Sequence, residues 1–291
     1  MKNKIVLITG ATGGIGKQTA ITLAKMGATV VITGRNMESG EKAVAAIKKL
    51  SGNPNIELLL ADVSTKGGII GLVSQFKQKF DKLDVVINNA GSAASERKLS
   101  TDGIEMNFAI NVLAPWFLAT QLMDYLRKSP SGRIITLMGG DVPKKLDQEN
   151  LQALKSFDGI NYYSQSKLTM MALMFEYAQQ IKETGVTVNI CYPGQASTSM
   201  TQSVTAGMLP FLMRPLFPLF KFLVKPDGGK SAEKASRSSV FLATSKDVEG
   251  KTGLYVDKHV KIKEMPQAAA NEENRKQVWN YVNQLLTAHP R

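Results

Sequence analysis

Short, continuous apolar runs alternate along this chain with longer stretches in which apolar side chains recur every third or fourth position. The runs Ile5–Thr9, Ala28–Thr33, Asn55–Leu60, Leu83–Ile87, Arg133–Met138 and Val186–Cys191 lack the in–out alternation of a half-exposed sheet, so they predict strands buried on both faces. The stretches between them, Lys17–Met26, Glu38–Leu50, Ile69–Phe80, Asn107–Tyr125 and Tyr163 to about Ile181, carry the helical period. Ala232–Thr244 predicts a further helix, Gly253–Val256 a last strand, and Asn271–Ala288 (within 271–288) an amphipathic C-terminal helix with Val278, Tyr281, Val282, Leu285 and Leu286 on one stripe. Strands alternating with helices predict an α/β chain: a single doubly wound domain over 1–291, with a parallel sheet of about seven strands and helices on both faces. Ligands of such sheets bind outside the carboxyl ends of the strands.

The chemistry-bearing residues fall at those ends. After the first strand comes Gly10-Ala11-Thr12-Gly13-Gly14-Ile15-Gly16, then a helix. Strand, glycine loop and helix in that order form a dinucleotide fingerprint, because glycines let the backbone approach a pyrophosphate and the helix N–H groups face its charge. The second strand ends in Gly34-Arg35-Asn36. An acidic residue there would hold the adenosine ribose hydroxyls; Arg35 instead offers a cationic fork to a 2′-phosphate, which favours NADP(H) over NAD(H). The third strand ends in Ala61-Asp62-Val63, where Asp62 can meet the adenine edge or cap the next helix. The fourth ends in Asn88-Asn89-Ala90-Gly91, small enough for close passage of a cofactor. Asn111 lies on the following helix, and Pro193-Gly194 closes the sixth strand. Tyr163 and Lys167 are four residues apart, one helical turn, and so share a face. A neighbouring ammonium favours the phenolate, so the pair can exchange a proton with a carbonyl or alcohol oxygen.

Composition removes other classes. One cysteine, Cys191, excludes an intrachain disulfide, and two histidines, His259 and His289, leave no basis for a His- or Cys-rich metal site, so no metal is expected. The net charge of +12 comes from 36 basic and 24 acidic residues that are dispersed, with no nucleic-acid motif, so it describes a solvated surface. Ile5–Ile8 is too short for a secretion-signal core, and no run approaches the roughly 20 apolar residues of a membrane span. The expected location is the cytoplasm.

Gly10/Gly14/Gly16, Asn88-Asn89-Ala90-Gly91, Asn111, Tyr163/Lys167 and Pro193-Gly194, in this order, resemble the short-chain dehydrogenase/reductase family, which folds as a Rossmann domain. The resemblance covers roughly Lys4 to Val256. Within it, Gly34-Arg35-Asn36-Met37, the long interval before Tyr163 and the tail through Gly250-Lys251-Thr252-Gly253-Leu254-Tyr255 resemble the retinol-dehydrogenase-type branch. The resemblance implies that Tyr163 is the general acid in reduction and the base in oxidation. It implies that Lys167 lowers the Tyr163 pKa and binds the nicotinamide ribose, and that Asn111 holds a water of a proton relay. Thr198 and the backbone near Ala196 would fix the carboxamide. One position departs from the pattern: the family ends its fifth strand with a serine that hydrogen-bonds the substrate oxygen, and Gly139 stands there. Met138 and Gly140 bring no hydroxyl either, and Thr136 falls on the opposite face. Three readings follow: Tyr163 suffices, another group such as Asp141 or a water replaces the serine, or the protein binds cofactor with little catalysis.

Between Thr198 and Lys230 the chain turns apolar, rich in Met, Phe and Pro over 208–224. The resemblance places a substrate-covering flap there (199–230), which implies a hydrophobic carbonyl or alcohol as substrate. Peripheral contact with a membrane surface and burial in a homo-oligomer interface are the competing readings.

Overall fold

The computed structural model describes residues 1–202, 204–208, 215, 217–218 and 225–288. Most of the 208–224 segment, read above as a lid, lies outside these residues.

Eight strands form one sheet: β1 (Ile5–Ile8), β2 (Thr29–Gly34), β3 (Ile56–Leu60), β4 (Val85–Asn88), β5 (Arg133–Leu137), β6 (Thr187–Cys191), β7 (Tyr255–Val256) and β8 (Ile262–Lys263). Their order is β3-β2-β1-β4-β5-β6-β7-β8. All neighbours run parallel except β8, which pairs antiparallel with β7. The sheet thus exceeds the expected seven strands by β8, which is exposed and too short to leave a periodic signal. The order reverses between β1 and β4, which opens a crevice at their carboxyl ends.

Helices cover both faces. On one side lie α1 (Gly14–Lys25), α2 (Met37–Ser51) and, later in the chain, α9 (Lys230–Thr244). On the other lie α3 (Lys66–Lys79), the run α4 (Met106–Phe108), α5 (Ala114–Gln121) and α6 (Met123–Arg127), and the long α7 (Gly159–Gln180). A short α8 (Ser199–Gln202) follows β6, and α10 (Gln267–Ala270) and α11 (Glu272–Ala288) end the described chain. The continuous apolar strands feed two cores by their period of two: Val6, Ile8, Val85 and Ile87 pack under α1 and α2, while Leu7 and Val86 pack under α3 and α7.

The predicted helix over 107–125 is broken. Ala109–Leu113 is a π-turn in which the Ala114 N–H bonds the Ala109 carbonyl, five residues back. Pro115 has no N–H for the ordinary rung to Asn111, so the helix widens where Asn111 sits. The C-terminal helix buries the expected Val278 and Val282. Trp279, off that stripe, stands edge-on to Trp116 and stacked on Tyr177. Arg275 bonds Glu176 at 2.7 Å, tying α11 to α7.

At the opposite end of the sheet, Asp84 is 1% exposed and accepts from Lys4 Nζ (2.9 Å), the Ile5 N–H (2.9 Å) and Ser129 Oγ (2.6 Å). Burial works to raise this carboxyl, but the bonds from Ser129, Lys4 and Ile5 outweigh it and hold it below its ordinary value. A lowered native pKa stabilises the fold above the unfolded value of about 3.9 and ceases to do so as pH falls through the native one. Asp84→Asn is therefore expected to cost about 1–3 kcal/mol at pH 7 and to flatten the acid limb of the stability curve. Urea unfolding at pH 7 and pH 3 measures both.

Candidate active site

The residues singled out at the strand ends meet in the crevice. At its floor, Thr9 Oγ1 accepts the N–H groups of Asn89 and Ala90, each at 3.1 Å. Asn89 Nδ2 returns bonds to the carbonyls of Thr9 (2.9 Å) and Gly10 (3.0 Å). These four bonds lock the end of β1 to the end of β4. Thr9, buried at 3% exposure, is a positioning residue that sequence reading passed over, since it looks like the last residue of a strand. Gly10 has φ +64° and a Cβ there would lie 2.9 Å from Ala90 Cα, so only glycine fits this crossing.

The start of α1 is open. Its N-cap, Gly13, provides no side-chain bond, and no acidic residue occupies the first turn. A Cβ at Gly13 would touch nothing within 4 Å, so the loop faces free space. The segment after β6 folds back over it: Thr198 Cγ2 lies 3.0 Å from the Cβ position of Gly14, and Ala196 packs with Ile15. Pro193 is buried and Gly194 takes φ +78° to turn this segment back. Arg35 is exposed at the end of β2 and has no ion-pair partner among the described residues. Unpaired helix N–H groups and a close backbone suit the pyrophosphate of a dinucleotide.

Two predicted ligands are engaged locally. Asn36 Oδ1 accepts the Ser39 N–H at 2.9 Å and caps α2. Asp62 Oδ1 accepts the Ser64 N–H at 2.9 Å, while Thr65 is the cap of α3, so Asp62 is not the helix cap the sequence suggested. The short Asx turn at Asp62 satisfies the backbone one turn earlier. Asp62 itself is exposed beside the buried Val63.

Tyr163 and Lys167 share the face of α7 that meets Gly139. A Cβ at Gly139 would overlap the Tyr163 hydroxyl and lie 3.9 Å from Lys167 Cε, and one at Gly140 would lie 2.9 Å from Tyr163 Cε1. The phenol ring thus rests directly on two glycines. Lys167 Nζ donates to the Leu137 carbonyl at 3.2 Å. Both Nζ and Asn111 Oδ1 adjoin Gly91, at 3.6 and 3.4 Å from its Cβ position. Asn111 is held on three sides: Oδ1 accepts the Ser92 N–H (2.9 Å), and Nδ2 donates to the Ser92 carbonyl (2.8 Å) and to Ser166 Oγ (2.9 Å). Ser166 in turn donates to the Tyr163 carbonyl at 2.7 Å. Ser166 and Ser92 were also missed; Ser166 sits inside the Tyr163–Lys167 stretch, on the turn facing Asn111.

The electrostatics differ from the expectation. Burial pushes the Tyr163 phenol up to about 12, with Tyr192 adding to the effect, and pushes Lys167 down to about 8. Loss of water around the phenolate is the main cause of the rise, and no lowering by Lys167 accompanies it. Among the described residues no group of His, Cys, Asp and Glu could hold a metal ion.

This fold and site define a nicotinamide-dependent oxidoreductase of CH–OH and C=O groups, and the chain belongs to the short-chain dehydrogenase family, whose model matches residues 4–209. Several of its relatives are retinol dehydrogenases. Retinol dehydrogenase 13 of Mus musculus is 32% identical, covering 97% of this chain and 84% of that protein. Polyprenol dehydrogenase of Homo sapiens is 27% identical, covering 96% and 83%. Among solved structures, a short chain dehydrogenase from Shigella flexneri complexed with NADP superposes with a TM-score of 0.66 at 23% identity, covering 89% of this chain and 98% of that one. No helix of the described residues is long and apolar enough to cross a membrane.

Proposed function

We propose that the chain interconverts a hydrophobic aldehyde or ketone and its alcohol with NADP(H), Tyr163 acting as the general acid or base. The observation that carries this reading is the convergence of the Tyr163 hydroxyl and the Lys167 stem on Gly139, beside Asn111 and Gly91. The N–H groups of α1 would hold the pyrophosphate, with Gly10, Thr12 and Gly14–Gly16 against it. Arg35 would hold the 2′-phosphate, and Lys167 the nicotinamide ribose. Thr198, with the backbone at Ala196, would orient the carboxamide. A nicotinamide held there supplies a hydride to a carbonyl carbon or takes one from an alcohol. Tyr163, protonated at neutral pH, gives its proton to the oxygen of the carbonyl being reduced and recovers one from solvent through Lys167 and Asn111. Two relatives are named for retinol and polyprenol, both lipophilic alcohols, which supports an apolar substrate.

The test is NADPH oxidation with a panel of lipophilic carbonyls such as dodecanal, all-trans-retinal and 2-undecanone. Failure to turn over any of them would sink the proposal. Arg35→Ser is expected to weaken NADPH binding by about 10–100-fold, as the loss of a charged hydrogen bond to phosphate predicts, and to leave NADH binding unchanged. Calorimetric titration with each cofactor decides it; equal effects on both would remove the 2′-phosphate assignment.

A further inference from the structure

The end of β5 carries no hydroxyl to hold a substrate oxygen: Met138, Gly139 and Gly140 have none, and Thr136 is buried and accepts from Asn88 Nδ2 at 3.3 Å. Asp141 is exposed just beyond it. The next strand offers a candidate. β5 and β6 pair as far as Leu137 and Cys191, and the Met138 N–H bonds the Cys191 carbonyl at 2.8 Å. Tyr192 is the following residue, so it leaves the sheet beside the glycine pair. Its backbone is anchored by its N–H on the Val256 carbonyl at 2.8 Å.

Alternation sends Tyr192 to the correct side. Ile190 and Tyr192 pack in the core that includes α7, whereas Cys191 packs in the opposite one. The Tyr192 ring is partly buried, and its hydroxyl has no hydrogen-bond partner among the described residues. Tyr192 is also close enough to Tyr163 to add to the rise in that phenol's pKa. A phenol that follows Cys191 beside the glycine pair, faces the α7 side of the sheet and has an O–H that no described residue binds can donate one bond to an oxygen brought to Tyr163.

We propose that Tyr192 takes the role of the absent serine, donating a hydrogen bond to the substrate oxygen while Tyr163 transfers the proton. Tyr192 keeps its own proton throughout. This catalytic assignment rests on the function proposed above and names a residue that the motif pattern leaves without a role.

The experiment compares the parent with Tyr192→Phe and, as a packing control, Tyr255→Phe on the adjacent strand. Two quantities are read: kcat for dodecanal reduction, and the affinity of decanamide, an unreactive carbonyl, for the NADPH-saturated protein by calorimetry. NADPH affinity and the thermal midpoint check that each variant is folded. Tyr192→Phe is expected to lower kcat by about 10²-fold and decanamide affinity by about 10-fold, with NADPH affinity unchanged. Tyr255→Phe is expected to move neither. Parental values in Tyr192→Phe, or equal losses in both variants, would overturn the assignment. If the parent reduces no carbonyl, the function reading fails, and the decanamide arm still decides: weaker binding in Tyr192→Phe alone supports the contact. Unchanged binding, or none to the parent, ends it.

Discussion

Tyr163→Phe is expected to lower carbonyl reduction by about 10²–10⁴-fold, the range for loss of a positioned general acid, while NADPH binds as before. The ring rests on Gly139 and Gly140, and phenylalanine keeps that packing. Only the hydroxyl is lost, so the defect should fall on kcat rather than on cofactor affinity. The direction of catalysis has a pH signature in the parent. With the phenol pushed up to about 12, its acid form is plentiful at neutral pH and its base form is scarce. Reduction is therefore expected to be the faster direction near pH 7, and alcohol oxidation to climb as pH rises toward 10. In Tyr163→Phe that climb should disappear. Initial rates in both directions from pH 6 to 10, on parent and variant, measure it; an oxidation limb that survives in the variant would assign the proton transfer elsewhere.

Gly139→Ser, which restores the hydroxyl common in the family, is expected to lower kcat by about 10²-fold, the scale of a displacement of about 1 Å at a reacting group. The position that a serine Cβ needs is already filled by the Tyr163 hydroxyl. The phenol must swing away from its place beside the Lys167 stem. Kinetics with dodecanal, together with a crystal structure of the variant, test this. A gain in rate would show that the missing serine limits the enzyme and that the phenol has room to move. Gly139 is thus a packing partner of Tyr163.

The motif residues were legible because each is tied to a local constraint. Gly10 is glycine because its backbone is left-handed and crosses Ala90. Lys167 follows Tyr163 by one helical turn. The errors came where nonlocal packing decides. Helical periodicity predicts an ordinary helix at Asn111, yet Pro115 and the bonds to Ser92 and Ser166 set it in a π-turn. Asp62 fits the pattern of a helix cap, but Thr65, nearer the helix, takes that role. Spacing reports that Lys167 is near Tyr163 but cannot report the desolvation that raises the phenol.

The sequence by itself determined the parallel α/β architecture, the glycine loop after β1, the basic Arg35 at the end of β2 and the Tyr163/Lys167 pair, since period, glycine spacing and helical offset are properties of neighbouring residues. Only the tertiary structure decided that the phenol fills the space above Gly139, that burial raises the Tyr163 phenol and lowers Lys167, and that Tyr192 emerges on the α7 side. Those facts depend on which strand lies beside which and on how much water the packed chain excludes. The chain order of β5, α7 and β6 does not contain them.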